Sequence, residues 1–301
     1  MEAPTQADEV VVERVRFDAL DGFPLGGFLH APRSRTTPRT AIVFAAGGGV
    51  RAERYRHFLS ALARRGMPSL AFDFRGIGES RPRRLRGLVA GFEDWVEYDT
   101  SAAIDWMHAR FPSACLVGMA HSIGCLLIGA PSNVNRFSQL VFIAPHTGYQ
   151  GDYARRVRWR VQIVLRIVGP PLERILGYFP GSLLGMGEDV PTRAAAQMAA
   201  RTTPRIVDGI GGSDPARQRR LIERAELLRL PALVLSFTDD PWATEFGVRR
   251  FLHAYRNLLA VRRVVAPDDF GRAEIGHCGF FRRSAAGTMC PFVFQFLESD
   301  A

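Results

Sequence analysis

The 301-residue chain contains no lysine: its 39 basic residues, set against 30 acidic ones, are all arginine and leave a formal charge of +9. The arginines are scattered in small clusters with no basic motif interleaved with aromatics. That argues against a nucleic-acid-binding surface and leaves weak attraction to anionic surfaces or substrates open. Cysteine is scarce. Cys115, Cys125, Cys278 and Cys290 show neither CxxC spacing nor the density of a disulfide scaffold, and they read as reduced thiols. No apolar run reaches about 18 residues, so no membrane span is expected. Met1 to Val10 is polar and acidic, without the basic start and apolar core of a secretory signal, which makes a cytoplasmic protein the expectation. No pair of His or Cys has ligand spacing beside an acid, so neither metal nor cofactor is expected.

What is present is a globular balance, 47% apolar and 23% charged, in a chain long enough to bury a sizeable core. Val10 to Phe17 and Leu25 to His30 alternate around an Asp21-Gly22 turn, as two antiparallel strands do. The texture then changes to continuous apolar runs, Thr40 to Ala46, Ser69 to Phe74, Cys115 to Ala120, Gln139 to Ala144, Pro231 to Phe237 and Val261 to Ala266. Most run into Gly-, Asp- or Pro-containing turns, and helical stretches such as Glu53 to Arg65, Trp95 to Phe111 and Ala243 to Leu259 separate them. Strands buried on both faces and alternating with helices predict a mostly parallel twisted sheet with helices on both sides. Ligands on such sheets bind beyond the carboxyl ends of the strands. From Thr147 to Leu228 the alternation stops, and the spacing predicts an inserted, mostly helical cap broken at Gly169-Pro170-Pro171 and around Gly211-Gly212. The chain thus divides into a first core part (1–146), the cap (147–228) and a second core part (229–301). Within the cap, the basic amphipathic run Arg155 to Leu165 is read as a helix with its apolar side on the core, weak membrane-surface contact being the alternative.

The chemistry centres on Ala120-His121-Ser122-Ile123-Gly124, which follows an apolar strand and opens a helix. This is the build of a nucleophile elbow, where a cramped strand-to-helix turn lifts a serine hydroxyl clear of the sheet. Ala120 places a methyl where the pattern expects glycine, at what should be its tightest point. A serine hydroxyl is a weak nucleophile unless a neutral imidazole takes its proton and a carboxylate fixes that imidazole's tautomer. His277, flanked by Gly276 and Gly279, follows the last strand, and Asp239-Asp240-Pro241 follows the strand before it. Placing the aspartates on a Gly-x-x-Asp turn favours Asp240 over Asp239 as the acid. The oxyanion donors expected are the Ile123 amide and that of Gly49 or Val50, in the Gly47-Gly48-Gly49 turn. That turn fits neither a dinucleotide fingerprint nor a P-loop. His121 reads as structural, and His146, at another strand end, as a candidate for the substrate pocket. The surplus of apolar residues in the cap suggests an acyl pocket, with Trp159 and Tyr178 as lining residues.

Taken together, Ala46 to Val50 with Tyr55 and Phe58, Asp73 to Ser80, Ala120 to Gly124, Phe237 to Asp240, and Ile275 to Phe281 resemble the α/β-hydrolase superfamily, in particular its serine aminopeptidase-like branch of predicted hydrolases. The resemblance spans nearly the whole chain apart from the cap. It implies the α/β-hydrolase fold, Ser122, Asp240 and His277 as a triad, and a small-molecule ester as substrate, less readily an amide. The chain departs from the pattern in Ala120 and in a triple glycine where many relatives have His-Gly. Acyl transfer to an alcohol or thiol by the same triad, or a catalytically silent binding protein on a borrowed fold, are the competing readings. The sequence does not specify an oligomeric state.

Overall fold

The computed structural model describes residues 9–34, 36–204, 214–285 and 287–299. Most of Met1 to Val10, read above as lacking a secretory signal, and the Gly211-Gly212 break lie outside the described residues. Eight strands form one sheet: β1 (Val10–Asp18), β2 (Pro24–Pro32), β3 (Thr40–Ala45), β4 (Ser69–Phe72), β5 (Cys115–His121), β6 (Phe137–Ile143), β7 (Pro231–Phe237) and β8 (Leu259–Val265), in the order β1-β2-β4-β3-β5-β6-β7-β8. The hairpin β1/β2 is antiparallel and joins β4 antiparallel, and every later pairing is parallel. The alternation of the first two strands and the unbroken apolar runs of the inner ones follow from this. β3 to β7 lie between helix layers and bury both faces, whereas β1 buries one. Strand β8 closes the sheet with Arg262 and Arg263, charges that discourage further pairing along an open edge.

Helix α1 (Arg56–Arg64) puts Phe58, Leu59, Leu62 and Ala63 on one buried side. A short turn, α2 (Phe92–Asp94), runs through a π-helical stretch (Trp95–Thr100) into α3 (Ser101–Arg110). In the π-helical stretch the fully buried Asp99 accepts bonds from the Arg75 amide (2.9 Å) and Nε (2.7 Å). Helix α4 (Gly124–Ile128) follows β5 and is wholly buried.

Between β6 and β7, the interval 147–228 contains α5 (Arg155–Ile163), α6 (Gly169–Leu176), α7 (Thr192–Ala200) and α8 (Pro215–Leu227). The break expected at Gly169-Pro170-Pro171 does not occur. A π-helical turn (Val164–Val168) carries α5 into α6 without a break, and the two prolines, which lack a donor, sit directly after that wider turn. Helix α8 starts where Asp214 caps the Ala216 and Arg217 amides. The sheet resumes with β7, and α9 (Glu245–Ala254) and α10 (Pro291–Ser299) complete the helix layers. Among the described residues no helix is long and apolar enough to cross a membrane.

One aromatic cluster ties the fold to the site. Phe44 of β3, Tyr55, Phe58 of α1, Phe280 and Phe281 meet at centroid distances of 4.5–6.1 Å. Burying each such ring contributes roughly 1.5–3 kcal/mol. Because Phe280 and Phe281 follow His277 by three and four positions, their burial anchors the loop that carries it.

Candidate active site

Ser122 lies between β5 and α4 with φ 59, a left-handed conformation that is costly for a residue with a side chain. The turn is held by the Ser122 amide, which donates to the Ile143 carbonyl (3.0 Å) across the β5/β6 pairing. Its tightest point is Gly124, where a Cβ would stand 2.3 Å from the Ala46 carbonyl oxygen. Ala120, by contrast, is accommodated in the sheet opposite Ala45 and Phe142, so its methyl is not at the tightest point as the pattern suggested.

The adjacent aspartates divide their work. Asp240 Oδ2 lies 2.7 Å from His277 Nδ1, while Asp240 Oδ1 accepts from the Trp242 and Ala243 amides at 2.8 and 3.0 Å. Burial would lift its pKa. The His277 imidazole and these two amides overcome that and hold the carboxyl below its ordinary range. Asp239 instead accepts the Ile275 and Gly276 amides on Oδ2, at 2.8 and 2.9 Å, so it clasps the backbone of the loop whose imidazole Asp240 orients. His277 Nε2 lies 2.8 Å from Ser122 Oγ.

Two further histidines adjoin this chain. His121 is buried. Its Nδ1 lies 2.9 Å from the Tyr55 hydroxyl, which accepts from the Gly47 amide (2.9 Å), and its Nε2 lies 2.9 Å from the His277 carbonyl oxygen. Burial depresses its pKa well below the usual value, so it is neutral. A neutral ring with Nε2–H donating to the carbonyl receives the tyrosine proton on Nδ1. His146, expected only to line the pocket, contacts the nucleophile directly, with Nε2 2.9 Å from Ser122 Oγ.

These groups open onto a cavity of about 870 Å³. Gly48, Gly49, Val50, Ser122, Ile123, His146 and His277 lie on the sheet side. Val161, Leu165, Met186 and Met198 come from the interval 147–228. Arg54, Arg56, Arg282 and Arg283 also line it. Three expectations need correction. Trp159 does not line this cavity. It is 58% exposed in a separate depression with Arg155, Arg156 and Arg158, because Val157, Val161 and Leu165 recur at helical spacing on the inward side and Trp159 falls between them. Tyr178 is also elsewhere. Gly177 turns the chain at φ 75, and the ring lies under the Arg81 guanidinium, 5.8 Å from its centroid. The Val50 amide is spent within its own turn, donating to the Gly47 carbonyl (3.1 Å), whereas the bond at Gly49, its carbonyl accepting from the Glu188 amide (2.8 Å), does not engage the Gly49 N–H. Gly48 is the glycine set against Ile123: a Cβ there would come within 2.9 Å of Ile123 Cγ2.

Serine, aspartate and histidine, in that chain order and delivered by three strand ends to one edge of a mostly parallel sheet, are the arrangement of the α/β hydrolases. Residues 36–258 match the family described as serine aminopeptidase, S33, and the chain belongs to that family of hydrolases. Its fold is similar to that of the Pyrococcus furiosus esterase Pf2001, with TM-score 0.61 and 16% identity over 96% of this chain and 91% of that one. It is similar also to the α/β hydrolase GrgF from Penicillium sp. sh18, with TM-score 0.60 and 16% identity over 96% and 98% of the two chains. The esterase domain of a Rhodothermus marinus protein gives TM-score 0.57 and 14% identity over 95% and 98%.

Proposed function

We propose that this hydrolase is a serine esterase that cleaves carboxylic esters through an acyl-enzyme on Ser122. The observation that carries the reading is the continuous hydrogen-bonded chain from Ser122 Oγ to His277 Nε2 (2.8 Å) and from His277 Nδ1 to Asp240 Oδ2 (2.7 Å). With Asp240 accepting the Nδ1 proton, Nε2 presents a lone pair and takes the serine proton as Oγ attacks the carbonyl. The imidazolium then gives that proton to the departing alcohol. Water repeats the sequence on the acyl-enzyme. The developing oxyanion is held by the Ile123 amide and, the Val50 amide being spent in its own turn, by that of Gly48 or Gly49. We read the interval 147–228 as a cap whose apolar residues Val161, Leu165, Met186 and Met198 receive the acyl group.

The test is labelling with a fluorophosphonate probe, mapping of the modified residue, and turnover of nitrophenyl esters. Modification at Ser122 with ester turnover is the expected result. Turnover without modification of Ser122 overturns the reading.

A further inference from the structure

Among the described residues, only two with side chains adopt positive φ: Ser122 (59°) and Ala144 (50°). The second strained residue lies just past β6, where the Ala144 amide donates to the Leu235 carbonyl (2.8 Å), two positions before His146. Backbone strain is thus concentrated at the two turns that bring Ser122 and His146 together. The His146 ring is buried, edge-on to Tyr153 at 5.6 Å, and its Nδ1 accepts from the Gly148 amide (2.9 Å), whose own φ of 81° needs glycine. The Tyr153 hydroxyl donates to the Gly148 carbonyl (3.2 Å) and braces the same turn.

Proton placement follows. Burial pulls the His146 pKa down to about 3, so the ring is neutral near pH 7. Because Nδ1 is an acceptor, the proton is on Nε2 and points to Ser122 Oγ. His146 is therefore no alternative base. The serine hydroxyl donates to His277 and accepts from His146.

We infer that His146 is a second catalytic histidine, a fixed donor to Ser122 Oγ that stabilises this oxygen whenever its bond to carbon is forming or breaking. The inference rests on the serine esterase reading. In acylation the Oγ proton moves to His277 Nε2 and an Oγ electron pair forms the bond to the carbonyl carbon. The C=O π pair moves onto the oxyanion, and collapse expels the alcohol with the proton from His277. In deacylation water gives its proton to His277 and its oxygen to the acyl carbon. Collapse breaks the C–Oγ bond and returns that proton to Oγ. The His146 proton is never transferred. Its hydrogen bond strengthens as charge gathers on Oγ in the bond-making step of the first half and the bond-breaking step of the second.

Two substitutions separate this role from a structural one. His146→Asn keeps a short side-chain acceptor for the Gly148 amide and falls short of Ser122, whereas His146→Gln reaches Ser122 with an amide donor. For His146→Asn, kcat on a nitrophenyl ester and the rate of phosphonylation of Ser122 by a fluorophosphonate should both fall by about 10- to 100-fold with KM little changed, and His146→Gln should recover most of both. Wild-type rates in His146→Asn, or His146→Gln no faster than His146→Asn, overturn the inference while leaving the esterase reading intact. A wild-type enzyme that turns over ester without phosphonylation at Ser122 overturns both.

Discussion

The two walls of the cavity are built on different terms. On the sheet side almost every polar group near Ser122 is committed: Asp240 to His277 and two amides, Asp239 to the loop backbone, His121 to Tyr55 and the His277 carbonyl, and His146 to Ser122 and Gly148. The interval 147–228 adds Val161, Leu165, Met186 and Met198, which meet a substrate by shape, beside Gln150, Glu188 and Arg201. Directional bonds in a buried setting fix atoms to within a fraction of an ångström, whereas flexible apolar side chains repack around what enters. On the proposed esterase reading one wall sets the reaction and the other the substrate, and substitutions on the two should produce different kinetic signatures.

The sharpest test of that division is Ser122→Ala, which should lower ester turnover by about 10³-fold or more and abolish fluorophosphonate labelling while a thermal unfolding scan stays close to wild type. An intact variant that retained turnover would move the nucleophile elsewhere. Next, the two aspartates should separate. Asp240→Asn should reduce kcat by about 10³-fold, because a neutral amide permits the wrong imidazole tautomer, and Asp239→Asn by about tenfold, because it weakens only the clasp on the loop backbone. Equal losses in steady-state kinetics would show that loop position, not imidazole orientation, limits the rate.

A third effect appears in stability. Asp73 is buried at the end of β4, and burial raises its pKa to about 6 even though the Ala52 and Glu79 amides donate to it. Its folded pKa lies above the unfolded value of 3.8, so the protonated carboxyl stabilises the fold fully below pH 3.8, and that contribution is lost as pH rises through about 6. The shift of roughly two units corresponds to about 3 kcal/mol. Urea titrations at a series of pH values should show a steeper fall in wild type than in Asp73→Asn, where the raised Asp99 carboxyl still contributes. Parallel curves would assign the slope to other groups.

The smallest effects belong to the apolar wall. Leu165→Ala and Met198→Ala should leave activity on acetyl esters nearly unchanged and alter kcat/KM on longer acyl chains by about tenfold, while Trp159→Ala leaves the chain-length profile as it was. A profile indifferent to Leu165 and Met198 would make that wall structural.

The parts of the site legible in the sequence are those where chemistry dictates residue type. A strand leading into Ser122 with Gly124 two places on, an aspartate pair after the next-to-last strand and a histidine between glycines after the last could be placed without coordinates, as could the antiparallel β1/β2 edge and the parallel sheet. What stayed hidden depends on direction. Trp159 and Val161 are equally apolar in a list, and only the helical phase of α5 turns one outward and the other inward. The spacing favours Asp240 as the acid, but that Asp239 holds the Ile275 and Gly276 amides depends on where the turn aims its carboxylate. Val50 and Gly48 differ in whether a local turn has already used the amide. His146 carried one visible signal, its position at a strand end, but the reach to Ser122 requires the left-handed Ala144, which no propensity of alanine announces.

The post formed by His121 has a mechanical consequence. Through the Tyr55 hydroxyl it holds Gly47 of the glycine turn, and through its other nitrogen it holds the backbone of His277, so two loops more than 200 residues apart in the chain are pinned to one interior side chain. Neither loop can drift without the other. As the molecule warms and its periphery loosens, the distance between donor turn and base remains that of the interior, and heat should inactivate the protein where the core melts, with no earlier softening of the site.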